Sequence, residues 1–474
     1  MKHSSIKENF IYNVIYQVLL VLLPLITSPY VSRVLSDDGL GVYSFQYTIA
    51  NCFALVGMLG VNNYGNRSIA AVRDDRRKRS HTFWSIWVLQ LTTSLFSLIV
   101  YIVYLAIVCR QEHLQTALAL FFAVLASVVD INWFFFGIER FKLTVTRNII
   151  IKLMSVACIF LFVKEKQDVW IYSLIIAGSL LLSNLSVWPF LKREIDICNI
   201  SLKDMTRHFP QMFVLFVPII AVTLYNKMDK VMIGSFSTMS QSGFYENAEK
   251  IINIPTGIIT ALGTVMLPRM SYLFANNNDE SARRYFNVSL EFATAMSCGL
   301  ACGISAIATD FAPLFFGESF TGINILIIAL SPKIIFLSIA NVMRTQYLIP
   351  LYKDRVFLNS VWLGAVVNVV INALLIPGFG ALGAVLGTDA AEFIVMAYQV
   401  VAVEKDMQII KKLVRNLYYL MAASIMFVIV FWSSQYLGHG ILGIILQIIL
   451  GMVVYMILCL PFCWHRYKNE IKYI

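Results

Sequence analysis

From Ile441 to Leu460 the chain reads ILGIILQIILGMVVYMILCL, twenty consecutive residues without a charge. An α-helix needs about that many apolar residues to cross the hydrocarbon of a bilayer. Working outward from this run, similar stretches recur through the whole chain, separated by short polar breaks. Their centres fall near Leu20, Phe53, Phe96, Val124, Val156, Ile176, Ile220, Ile259, Gly299, Ile328, Val367, Val385, Ile425 and Leu450. The expectation is an all-α integral membrane protein with fourteen transmembrane helices. Two places strain the count. The seventh stretch contains Lys227, Asp229 and Lys230, and the eleventh and twelfth are parted only by a turn around Pro377, Gly378 and Gly380.

Composition agrees. Of 474 residues, 59% are hydrophobic and 14% charged, with a mean hydropathy of +0.74. A soluble chain carries nearer a quarter charged residues, so this one has too little polar surface to cover a water-facing core. The net charge of +10 would suggest nucleic acid in a soluble protein. Here the distribution of the basic residues is the more informative quantity.

Lys and Arg cluster in alternate turns. The even-numbered turns hold 23 of them, including Arg67, Arg73, Arg79, Arg147, Lys192, Arg207, Arg284 and Lys412. The odd-numbered turns hold 5, namely Arg33, Arg110, Lys164, Lys166 and Lys250. Positive loops stay in the cytoplasm, which puts the even turns and both termini there. The first apolar run follows MKHSSIKENF with no small-residue cleavage site, and is read as an uncleaved span. The basic run Arg73–Arg79 is read as a solvated loop that meets anionic membrane lipids.

The two halves share a weak repeat at an offset of 202 residues: Gly41-Val-Tyr43 with Gly243-Phe-Tyr245, Asn51 with Asn253, and Arg67 with Arg269. Repeated bundles with a substrate site between them are a transporter architecture. The expected organisation is a first lobe over 1–190, a cytoplasmic linker over 191–209, a second six-helix lobe over 210–403, and two additional helices with a tail over 404–474. The lobes would rock about a central cavity.

Ionisable groups within apolar runs are costly, and usually pair or face a watery cavity. Lys227 and Lys230 share one face of the seventh span, with Asp229 off it. Lys333 follows Pro332 in the middle of the tenth span. Asp389 and Glu392 share a face of the twelfth. Asp130 on the fourth and Lys152 on the fifth sit at similar depth and are candidates for ion coupling or for a structural ion pair. Lys333 and Asp389 could neutralise each other. Glu291, near a helix end, is expected to snorkel to the interface. A cavity lined by Arg33, Lys227, Lys230 and Lys333 would suit a phosphate-bearing substrate, and Asp229, Asp389 or Glu392 could bind a coupling proton or sodium ion.

Other chemistry finds no foothold in the sequence. Cys298/Cys302 and Cys459/Cys463 are spaced i,i+4 but lack a nearby His or acid to complete a metal site, so they read as apolar packing. No phosphate-binding Gly-x4-Gly-Lys-Ser/Thr loop occurs. His3, His81, His113, His208, His439 and His465 fall in loops or tails without a nucleophile arrangement. No external loop is large enough for a polymerase. The chain is expected to be no enzyme, to need no cofactor and to bind no nucleic acid.

Several stretches resemble the Wzx-type polysaccharide repeat-unit flippases of the MOP superfamily, which also contains the MATE drug exporters and the lipid II flippases. These are Leu23-Pro-Leu-Ile-Thr-Ser-Pro-Tyr-Val-Ser-Arg-Val-Leu35 with Gly39-Leu-Gly-Val-Tyr43, Tyr225-Asn-Lys-Met-Asp-Lys230 with Gly243-Phe-Tyr-Glu-Asn-Ala-Glu-Lys250, Val265-Met-Leu-Pro-Arg269, and Ile376-Pro-Gly-Phe-Gly-Ala-Leu-Gly-Ala384. The likeness runs from about Leu20 to Glu392 and departs at Ser36-Asp37-Asp38, where the family usually has Leu-Gly before the acidic turn. It implies a MATE-like fold, and translocation by alternating access of undecaprenyl-pyrophosphate-linked oligosaccharide units for O-antigen or capsule. The pyrophosphate would meet Arg33, Lys227, Lys230 and Lys333, and the lipid tail would run along spans thirteen and fourteen. A polysaccharide polymerase and a chain-length regulator are the implied partners, and antiport the implied coupling. The alternative is a cation-coupled multidrug exporter of the same fold.

Overall fold

The computed structural model describes residues 6–467. Side chains are described for all of these except 6–18, 20, 21, 141–143, 225 and 463–467. His3 and the side chains of Lys142, Cys463 and His465 therefore lie outside the described residues. Everything regular among the described residues is helical. Thirteen helical stretches are long and apolar enough to cross a membrane. The first of them, Leu22–Ala71, contains two of the spans expected from sequence. Its helix breaks at Ser36, where φ 60 and ψ 179 are non-helical. The break separates a limb over 6–35 from one over 37–58, which restores the count of fourteen. That backbone region is one that essentially only glycine enters at ease, and here a Ser occupies it.

The chain divides into two compact units, Met1–Gly234 and Ser235–Ile474. In the first, the second span continues past Leu59 and Gly60, both at positive φ, into Val61–Ala71. The remaining spans are Arg76–Ile107, Leu114–Val128 with its short sequel Asn132–Gly137, Phe141–Phe162, Val169–Leu185 and Phe209–Phe236. Sequence placed the seventh of these at the head of the second lobe; nearly all of it falls in the first unit. It runs antiparallel to the second span at close range. A Cβ on Gly60 would lie 3.0 Å from the Met212 carbonyl, and one on Gly234 2.3 Å from the Phe45 ring. Between these ends, Met212 and Phe216 join the aromatic core of Phe83, Trp133, Phe134 and Phe135.

The segment ahead of the seventh span is also tied down. Buried Glu194 receives Arg140 at 2.7 Å and Arg79 at 3.7 Å, and Asp196 is gripped bidentately by Arg76. Three of the basic residues that mark the even turns are thus engaged by acids of the 191–209 segment. His81 stands inside the third helix rather than in a loop, 3.5 Å from Asp204.

Near the start of the second unit, the Thr238 hydroxyl caps Met239–Ala275 by accepting from Gln241 N–H. Thr238 stands at the repeat offset from Ser36, so the sequence repeat marks equivalent helix starts. Lys250, counted in an odd turn from sequence, is inside this helix and pairs with Glu246 at 3.2 Å, one turn earlier. Asp279–Phe316 follows, then Ile323–Leu330 and Pro332–Met343, which together form span ten. Asp354–Phe379 and Ala381–Met407 meet at Gly380, φ 55, where Gln241 accepts the Ala381 N–H. The last two spans are Ile409–Leu437 and Ile441–Tyr467.

Spans thirteen and fourteen are strapped to the ninth along its length. Tyr419 donates to Glu291 at 2.6 Å, Tyr455 to the Ala295 carbonyl at 2.7 Å, and Gln447 to Asp310 at 2.9 Å. Glu291 is 4% exposed. It does not snorkel, because a tyrosine from the neighbouring helix satisfies it in place. Cys298 packs with Cys302, Cys459 and Tyr455 in an apolar cluster. The outward faces of these helices are apolar and exposed, as with Leu442, Met456 and Ile457, which is the surface a lipid solvent requires.

Candidate functional site

In the first unit, the second half of span seven carries Lys227, Asp229 and Lys230. Asp229 is 1% exposed, while both lysines are half-buried. Sequence placed the carboxylate off the face the lysines share, and the structure turns that carboxylate into the protein. Lys227 stands near enough to Cys52 of the second span for their electrostatics to couple, as the antiparallel approach of these helices requires. All three side chains are engaged within the protein. The cluster holds two cations to one anion, and the acid limits the cost of placing the two lysines within an apolar helix. Arg33 is exposed, one short step before the Ser36 break.

Asp130 and Lys152 do not pair. Asp130 lies in the break between Leu114–Val128 and Asn132–Gly137, so its carboxylate turns back to accept the backbone and side-chain N–H groups of Asn132, at 2.9 and 2.8 Å. Its nearby cation is Arg147, which also donates to Asn132 at 3.2 Å. Equal depth brought Asp130 and Lys152 together in the sequence reading; the break re-aims the acid. Gln90 stabilises that break. Its amide N–H donates to the Ser127 and Asp130 carbonyls, and its carbonyl accepts from Trp133, so the backbone groups released there are satisfied.

In the second unit, Lys333 is 5% exposed and surrounded by acids. Its Nζ lies 3.8 Å from Glu249 of span eight. Asp389 of span twelve stands close enough to feel its ammonium, with Glu392 beside it. Glu392 and Glu249 are 3% and 8% exposed. Three carboxylates gather near one ammonium, so acid exceeds base in this cluster. Lys333 had been grouped with the phosphate-binding cations; it stands among carboxylates instead.

Glu249 and Arg147 are the site residues that the sequence reading left unused. Glu249 lies in the stretch Gly243–Lys250 beside Glu246 and Lys250, and its signal was the one charge of that turn left over once those two pair. Arg147 had been assigned to a cytoplasmic turn, although it sits two turns into Phe141–Phe162.

Comparison with known proteins follows the same lines. A family described as polysaccharide biosynthesis protein matches residues 6–274. The chain is 21% identical over 409 residues to the "Putative O-antigen transporter" of Escherichia coli (strain K12), covering 85% of this chain and 97% of that one. It is 25% identical over 247 residues to the "Probable low-salt glycan biosynthesis flippase Agl15" of Haloferax volcanii, covering 52% and 51%. Among solved structures it is similar to the lipid II flippase MurJ in an inward closed conformation, with TM-score 0.75, 15% identity, and 98% and 99% of the two chains covered. An inward-facing multidrug MATE transporter of the MOP superfamily gives TM-score 0.62 at 15% identity, covering 85% and 99%. At such identities the two structures speak for the fold alone.

Proposed function

We infer that this chain, which belongs to the polysaccharide biosynthesis protein family, is a flippase for lipid-linked oligosaccharides. What supports this most is the likeness to an O-antigen transporter along 97% of that protein's length. The substrate is an undecaprenyl-pyrophosphate-linked repeat unit of O-antigen or capsule. Its pyrophosphate is met by Arg33, Lys227 and Lys230, while its lipid tail stays in hydrocarbon along spans thirteen and fourteen. Alternating access presents the headgroup first to the cytoplasmic leaflet and then to the outer one. Both termini lie in the cytoplasm, and the delivered unit passes to a polymerase and its chain-length regulator.

The acid cluster of the second unit gives the transport cycle a place for a coupling ion. Glu249, Asp389 and Glu392 exchange a proton or sodium ion, with Lys333 as the internal counter-charge. Asp229, by contrast, is the built-in anion of the lysine cluster. The same acid excess would suit a cation-coupled drug exporter, so the deciding experiment separates the two. In cells lacking the protein, lipid-linked repeat units should accumulate on the cytoplasmic leaflet and surface polysaccharide should fall. Unchanged polysaccharide with raised drug sensitivity would give the exporter reading the field.

A further inference from the structure

Once Asp130 is committed to Asn132 and Arg147, Lys152 is left as a cation in the middle of span five. It lies eleven residues from Phe141 and ten from Phe162, about 15 Å from either end of the helix at 1.5 Å per residue. That is farther than a lysine side chain can snorkel. Nor does it face lipid. The exposed arc of this helix is Ile150, Leu153, Met154 and Leu161, whereas Lys152 shares the opposite arc with buried Thr144, Val145 and Ile159. Among the described residues its ammonium has no hydrogen-bond or ion-pair partner, and burial alone acts on it. It nevertheless keeps some accessible surface.

Asn148, one turn earlier on the same face, supplies a second donor. Its side-chain carbonyl is taken twice, by Arg147 at 3.1 Å and by the Ser183 hydroxyl from span six. The hydrogen-bond network therefore fixes the amide orientation and leaves the NH2 group without an acceptor among the described residues. A lysine ammonium and an amide NH2 on one inward face, with no carboxylate committed to either, make a donor-only surface. Such a surface is complementary to an anionic oxygen group.

We propose that Lys152 and Asn148 form an anion subsite inside the first unit that takes a phosphate or a sugar carboxylate of the transported molecule. Bilayer headgroups stay at the membrane surface and do not reach the middle of span five, so the anion arrives on a ligand that enters the bundle. The proposal rests on the flippase reading for the source of that ligand, though not for the chemistry of the site. It also accounts for a half-buried cation that is costly in the middle of an apolar span.

The test uses the full chain in nanodiscs and three probes: undecaprenyl pyrophosphate, dodecyl glucuronide and the neutral dodecyl glucoside. Lys152→Gln should weaken at least one anionic probe by about tenfold, the scale of losing one charged contact, and leave the glucoside unchanged. Lys152→Arg should restore the loss. The probe that responds identifies the source, phosphate or carboxylate. Lys152→Met should raise the melting temperature, because it removes an uncompensated half-buried charge. A wild-type protein that binds the anions, beside a Lys152→Gln variant that binds them equally well, would overturn the subsite while leaving the flippase reading standing. A lower melting temperature for Lys152→Met would assign Lys152 a structural pairing role instead, and also overturn it. Failure of the wild type to bind undecaprenyl pyrophosphate would strike the flippase reading itself.

Discussion

Lys333 Nζ and Glu249 Oε1 stand 3.8 Å apart, both buried, on spans ten and eight. The ammonium thereby pairs with one of the three acids gathered near it, while Asp389 feels both its charge and that of Glu392.

Breaking the Lys333–Glu249 pair from one side should be worse than removing it whole. Lys333→Met leaves three acids without their cation, and Glu249→Gln leaves the lysine with Asp389 and Glu392. Removal of one partner of a buried pair costs about 3–5 kcal/mol, so the lysine variant should lose stability on that scale. The double variant should recover much of it. Thermal unfolding in detergent of the wild type, both single variants and the double variant closes the cycle; additive losses would show that the pair is not coupled.

Lys227→Ala and Lys230→Ala should each lower surface polysaccharide export by about tenfold or more, about 1.4 kcal/mol of lost binding, with normal amounts of protein in the membrane. Arginine at either position should retain most of the export, since it keeps the charge. The readout is surface polysaccharide per copy of inserted protein, and normal export from both alanine variants would remove these lysines from the site.

Gly65→Ala tests the packing that positions the second span. An added Cβ there would meet the Trp133 ring at 2.4 Å, and Trp133 is fully buried and tied to Gln90. Overpacking of this kind costs about 1–3 kcal/mol, so the variant should melt at a lower temperature than wild type. A compensating Trp133→Phe should recover part of the loss.

Asp75 should make the start of span three sensitive to acid. Its carboxylate accepts the Lys78 backbone N–H at 3.0 Å, and that bond holds its pKa below the usual carboxylate value. A depressed folded value means the cap stabilises fully above the ordinary carboxylate range and is lost as pH falls through the folded value. The protection factor of the Lys78 amide, its exchange rate corrected for the intrinsic pH dependence, should therefore fall in acid. Asp75→Asn caps without titrating, and in that variant the fall should disappear.

The number of helices was legible in the sequence because apolar length is a local, one-dimensional property. The run 441–460 and its thirteen counterparts each fall in a helix of the structure, and even the shortest break, at Gly380, lies where Pro377 and Gly378 placed it. The Lys227–Lys230 cluster was legible for the same reason, as charge interrupting an apolar run. The repeat that pairs Gly41 with Gly243 pointed correctly to equivalent helix starts. Together with the motifs that resemble polysaccharide flippases, these features carried the sequence to fold and family.

Which charges meet depended on the tertiary structure. The partner of a buried side chain depends on helix rotation, on register between neighbours and on breaks, and a single residue turns a helix face by about 100°. Hence Lys333 found Glu249, which sequence had not considered, and Glu291 was held by Tyr419 rather than reaching the interface. The break at Asp130 turned its carboxylate towards Asn132 and Arg147 and left Lys152 without the partner that equal depth had suggested. Sequence determined that this protein crosses the membrane many times with charges set inside its apolar runs; only the packing of the helices decided which of those charges meet a partner.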